Sequence, residues 1–157
     1  MFALLITTAV PAAAHYPHHR SSSVKLNTYH RVGAWTTKVP QTYWRVTADR
    51  WGNRPRRGYD FVVVQVRNSR RTGGEGEAYW DLNFDLYGAK TRRLYSSLNN
   101  NCSPRGWIGD KDPVYPGGSV TGTVCFQVAE SDYGFRLRVE NTENWNSTPQ
   151  VWYRVQR

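Results

Sequence analysis

The amino-acid sequence predicts an all-β fold in which antiparallel sheets pack face to face, closed by a single disulfide. Three observations carry that prediction. Apolar and polar residues alternate with a period of two in segment after segment, the pattern of a strand with one buried and one wet face. Turn-forming Gly, Pro, Asn and Ser interrupt the chain at short intervals, and no long stretch shows a helical period. Two cysteines are present among 157 residues.

Residues 1–14 read as a secretory signal peptide. An apolar run over residues 2–10 is followed by Pro11 and the small residues Ala12, Ala13 and Ala14. The run is shorter than the roughly 20 residues needed to span a bilayer. No Lys or Arg separates Met1 from it, so the expected start codon lies upstream. Residues 15–23, HYPHHRSSS, are polar and aperiodic and read as a disordered tail. The β domain then occupies residues 24–157.

Two irregular strands are expected first, near 24–29 and 43–48. In YDFVVVQVRN, Val62, Val64 and Val66 share one face, with Phe61, Val63 and Gln65 on the other. In YWDLNFDLYG, Trp80, Leu82, Phe84 and Leu86 oppose Asp81, Asn83 and Asp85; Gly88 then allows a tight turn back near Leu94 and Tyr95. SVTGTVCFQV sets Val120, Val124, Phe126 and Val128 against Thr121, Thr123, Cys125 and Gln127. FRLRVEN sets Phe135, Leu137 and Val139 against Arg136, Arg138 and Glu140. QVWYRVQ ends the series, with Val151, Tyr153 and Val155 opposing Trp152 and Arg154. Seven to eight such strands make an immunoglobulin-like antiparallel β-sandwich; the same pattern also permits a small β-barrel.

Cys125 falls on the polar face of its strand, and Cys102 lies in the turn-rich NNNCSPRGW. In an exported protein with two cysteines the expected state is a disulfide. It would close a loop of about 22 intervening residues and stabilise the fold by roughly 3 kcal/mol. A catalytic thiol needs a neighbouring base, yet all four histidines lie at or before position 30. A zinc site needs four closely spaced ligands; no CxxC pair exists, and the histidines before position 20 have no cysteine near them in sequence.

Three phrases together, FVVVQVRNSR, YWDLNFDLYGAK and VYPGGSVTGTVCFQVAE, resemble an immunoglobulin-like domain family of unknown function. That family occurs in exported and lipid-anchored proteins of Gram-positive bacteria and is allied to a secreted mycobacterial immunoprotective antigen. The resemblance covers residues 59–140 and is most specific in the glycine-led strand. It implies an antiparallel sandwich without established catalytic residues, and cysteines at the places of Cys102 and Cys125. This chain departs from the family in its basicity and its tryptophan content.

The net charge of +9 favours acidic partners. Arg50, Arg54, Arg56 and Arg57 cluster in DRWGNRPRRGY with Trp51 and Tyr59, and Trp107 follows Cys102 in the cysteine loop. Guanidinium beside aromatic rings holds anionic or stacked ligands. The plain alternative places these arginines in solvated turns with Trp51 half-buried. Further arginines, Arg70 and Arg71 among them, are expected in loops, and Arg136, Arg138 and Arg154 on outer strand faces. Export argues against nucleic acid, leaving an anionic cell-wall polymer, a glycan or another exported protein as the partner.

Catalysis has two candidates. Asp81 and Asp85 would sit about 13 Å apart on one solvated strand face, too far for a glycosidase pair. A mature N-terminal His15, with His18 and His30, would supply imidazoles for a copper centre. The expectation is a monomeric, non-enzymatic binding protein without cofactor, secreted or associated with the cell wall. A wall-polymer or carbohydrate module is its specific form, and a copper enzyme or carrier the second alternative.

Overall fold

The computed structural model describes residues 23–98, 100–143 and 148–155. The expected signal peptide, residues 15–22 of the expected tail, His15, His18 and Trp145 lie outside the described residues.

Among the described residues, eight strands form two four-stranded sheets. The first contains β1 (His30–Val32), β2 (Trp35–Val46), β3 (Tyr59–Arg70) and β6 (Ser119–Ala129), in that order. The second runs β5 (Arg93–Ser96), β4 (Leu82–Gly88), β7 (Arg136–Asn141) and β8 (Gln150–Arg154). All six strand pairings are antiparallel. Two separate sheets replace the barrel alternative.

Five of the expected strands have the faces that alternation assigns. Val62, Val64 and Val66 of β3, Leu82, Phe84 and Leu86 of β4, and Val124, Phe126 and Val128 of β6 are buried between the sheets. Leu137 and Val139 of β7, and Val151 and Tyr153 of β8, join β4 in the second sheet's half of this core. Each such side chain contributes on the order of 1.5–3 kcal/mol through burial. The hydroxyl of Tyr153 donates to the Thr37 carbonyl, which satisfies the polar end of a ring with no exposed surface.

The N-terminal strands differ from expectation. Val24 makes only an isolated bridge to Tyr153, and the first hairpin joins β1 to β2 ahead of the expected start. Trp35, Thr37 and Val39 point inward from β2. Thr37 is hidden from the apolar pattern because its hydroxyl donates to Asn68 Oδ1 at 2.9 Å, inside the core. Pro40, which has no N–H for a ladder bond, lies at a register shift between Lys38 and Gln41.

A helical turn, α1 (Ala78–Asp81), replaces the expected start of β4. It turns Trp80 out to 70% exposure, so this ring does not join the core face. The cause is a polar anchor. Trp35 Nε1 donates to Asp81 Oδ2 at 3.1 Å, and Arg70 Nη1 approaches the same oxygen at 3.2 Å. Arg70 is 4% exposed, stacks on Trp35 and also bonds Glu143 at 2.7 Å, so it is not a solvated loop residue. Nor do Asp81 and Asp85 share a solvated face. Asp85 is buried on β4, held by Arg138 at 2.6 Å. Burial and the nearby Glu143 carboxylate push the Asp81 carboxyl above its ordinary value, against the pull of Trp35 and Arg70.

The turn from β4 to β5 is fixed by a second carboxylate, Asp132. It accepts from the amides of Lys90 and Thr91 at 3.2 Å, of Tyr133 at 2.8 Å, and from the Tyr95 hydroxyl at 2.9 Å. Burial acts upward on this carboxyl, but hydrogen bonds from Thr91, Tyr95 and the amides outweigh it and lower its pKa. Gly88 is required here because a Cβ would fall 1.8 Å from Asp132 Oδ2.

Candidate binding surface along the strand β6

Cys125 lies on the outer face of β6, as alternation requires, yet it is 2% exposed. The cover is the loop it staples. Cys102 and Cys125 form a disulfide with Cα atoms 5.8 Å apart. Asn100 donates to the Cys125 carbonyl, and the Thr123 amide donates to the Gly106 carbonyl at 2.9 Å. The 3₁₀ turn Ile108–Asp110 then presses on Gly122, where a Cβ would stand 2.7 Å from Ile108 Cα. The glycine in the middle of VTGTVCF, in phase with Val120 and Val124, therefore lets Ile108 pack against the inward side of the strand.

That loop brings Trp107 to the arginine-rich segment. The Asp49 carboxylate accepts from the amides of Trp51, Asn53 and Ser103 at 2.8–3.1 Å, and the Arg50 amide donates to the Ser103 carbonyl. Burial raises the Asp49 pKa, but the donors Asn53, Ser103 and Trp51 outweigh it and the carboxyl lies below its ordinary value. Ser103 adjoins Cys102, so the disulfide and Asp49 fix the same corner from two sides.

On this frame sits a ladder of cation and ring. The Arg50 guanidinium lies 4.8 Å from the Trp51 ring and 5.9 Å from Trp107, and pairs with Asp110. Trp107 meets Tyr79 edge to face at 4.9 Å, and Tyr79 meets Trp80 in the same way at 4.7 Å. The two ends, Trp51 and Trp80, are 71% and 70% exposed, so Trp51 is not half-buried against the sandwich. Beside Trp80 is a depression of about 190 Å³ with Leu98 and Tyr79 as apolar wall and Asn83, Ser97 and Thr142 as polar edge.

The predicted residues thus divide. Arg50, Trp51 and Trp107 come together. Arg56 and Tyr59 form a second group, with the guanidinium 4.1 Å from the ring, the Arg56 amide bonded to Gln127, and Arg93 Nη1 3.5 Å from the Tyr59 hydroxyl. Arg54 and Arg57 are exposed on the same 47–58 loop. Sequence reasoning missed Tyr79 and Trp80 as site residues because it placed Trp80 in the core. The signal was local: GGEGE at residues 73–77 ends with one residue between it and Tyr79, and glycines at that density end strand alternation. His30 is half-buried on β1, its ring 5.8 Å from Tyr153. Among the described residues no three His, Cys, Asp or Glu side chains converge as a metal site, and no helix is long and apolar enough to cross a membrane.

No family model matches the chain, and no curated protein matches it. Similarity is found among solved structures. A candidate lipoprotein of Bacillus subtilis, ycdA, superimposes with a TM-score of 0.57 at 14% identity, over 83% of this chain. The chain spans 38% of the length of that protein. A functionally unknown protein of Listeria monocytogenes matches with a TM-score of 0.54 at 15% identity, over 85% of this chain and 84% of its own. An uncharacterised β-sandwich protein of Clostridium difficile matches with 0.51 at 5% identity, over 85% and 95%. The likeness is one of fold.

Proposed function

We propose that this chain is an exported, non-catalytic binding protein that holds a glycan of the cell envelope on the Trp51–Arg50–Trp107–Tyr79–Trp80 ladder. One observation carries the reading: two tryptophans are held more than two-thirds exposed at the ends of a fixed row of stacked groups. Exposed aromatic surface is costly to solubility and marks a place where something docks. Tryptophan faces suit the apolar faces of sugar rings, and the polar edge beside Trp80 offers partners for hydroxyl groups.

Several features support export and the class of glycan. A disulfide persists in oxidising compartments, the apolar run at residues 2–10 fits a leader, and the fold is shared with a candidate bacterial lipoprotein. The net charge of +9 and the exposed Arg54, Arg56 and Arg57 beside Trp51 favour sugars that carry carboxylates.

The test is titration of intrinsic tryptophan fluorescence with an acidic and a neutral polysaccharide of matched length. The acidic chain should bind more tightly, and Trp51→Ala and Trp80→Ala should each weaken binding about tenfold. Full binding by the Trp51→Ala, Trp80→Ala double variant would sink the reading.

A further inference from the structure

The outer face of the second sheet carries a different arrangement. In register across it lie Leu94, Tyr87, Arg136 and Arg154, and in the next row Ser96, Asp85, Arg138 and Trp152. Arg138 is neutralised by Asp85 at 2.6 Å and Glu140 at 3.4 Å. Arg136 and Arg154 are direct cross-strand partners, both exposed, and neither has a carboxylate within ion-pair distance among the described residues. Like charges directly opposite on neighbouring strands destabilise a sheet, their Cβ atoms being about 5 Å apart.

The rings show why no carboxylate of this face reaches them. Tyr87 on β4 and Trp152 on β8 meet edge to face at 6.4 Å. They belong to different rows on strands two apart, so their contact crosses β7 between Arg136 and Arg138. It separates the free pair of guanidiniums from Asp85 and Glu140. Two adjacent guanidiniums, each a planar fork of donors, match the oxygens of a phosphate group.

We propose that Arg136 and Arg154 form a second binding site, separate from the aromatic ladder, that grips the phosphates of an anionic polymer. The polymer is favoured over a lipid surface because the apolar side chains of these two rows, Leu94, Tyr87 and Trp152, are all half-buried and do not stand out from the sheet to enter a bilayer. The site stands independently of the glycan reading.

Inorganic polyphosphate is the probe, titrated by calorimetry at several salt concentrations. Arg136→Gln, Arg154→Gln together should weaken binding at least about tenfold and reduce the slope of log K against log salt by about one to two. Their removal relieves a like-charge pair, so the thermal midpoint should hold or rise. Arg71→Gln, Lys111→Gln, which removes the same charge elsewhere, should leave the slope close to that of the parent. Equal losses in both double variants would overturn the proposal, because net charge alone would then explain binding. So would retained polyphosphate binding alongside lost binding to phosphatidylglycerol vesicles. Trp51→Ala, Trp80→Ala should keep polyphosphate binding intact; its loss there would move the site to the ladder and overturn the assignment.

Discussion

The β6 edge and the outer face of the second sheet use the same two side-chain types in opposite ways. Along β6 the arginine of the ladder is paired with Asp110 and the outermost rings are exposed. On the sheet face the rings of Tyr87 and Trp152 meet one another, and Arg136 and Arg154 have no ion-pair partner among the described residues. Whichever partner is satisfied internally is removed from recognition. The edge therefore offers ring faces and the sheet offers charge, and the two should differ in salt dependence. They differ in origin too: the sheet face is set by strand register alone, whereas the edge needs a stapled loop.

The largest expected effect breaks the edge and leaves the sheet face. Cys102→Ser, Cys125→Ser should lower the free energy of unfolding by roughly 3 kcal/mol, read by urea denaturation. At temperatures where the variant stays folded, glycan binding should fall while polyphosphate binding persists. Equal loss of both would mean the two surfaces are not independent.

Asp85→Asn acts on the other side of the comparison. It withdraws the buried carboxylate from Arg138 and should cost about 1–3 kcal/mol. It also leaves Arg138 more nearly free, so polyphosphate should bind more tightly to the less stable protein. A smaller effect, about 1–2 kcal/mol, is expected for Gly122→Ala, whose methyl group must displace Ile108. Tryptophan fluorescence should report the movement of Trp107, and an unchanged spectrum and stability would show that the loop does not lie tight on β6.

The smallest effect is in pH. Asp49 and Asp132 have lowered pKa values, so their stabilisation is full above the ordinary 3.8 and is lost as pH falls through their folded-state values. Asp81 is raised, so its contribution has the opposite sense: present below 3.8 and lost as pH rises through its folded-state value. Urea midpoints measured against pH should lose the high-pH decline in Asp81→Asn and lose part of the acid sensitivity in Asp132→Asn.

How much of this was legible follows from which residues speak locally. The inner faces of β3, β4, β6, β7 and β8 are readable because apolar residues recur on one face with a period of two. β2 escapes because Thr37 is in the core only through Asn68, a partner 31 positions away. Trp80 keeps the phase of the strand that follows, so nothing apolar in its neighbourhood betrays the helical turn; the turn depends on Asp81 meeting Trp35 and Arg70 from β2 and β3. In the candidate site, Arg50 and Trp51 are sequence neighbours and visible together. Their junction with Trp107 runs through Asp49, Ser103 and the disulfide, and joins residues that periodicity cannot relate.

The stapled loop has a consequence for self-association. β6 is the last strand of its sheet, and an uncovered terminal strand is a template for another chain. Here the Thr123 amide is hydrogen-bonded to the Gly106 carbonyl and the Cys125 carbonyl to Asn100, so two ladder groups in the middle of that edge are occupied. At the opposite end β1 is only three residues long. The cover is held in place by the Cys102–Cys125 disulfide, so that protection is covalent. Under reducing conditions the loop is free to lift, and light scattering should then rise with protein concentration where the oxidised chain stays clear.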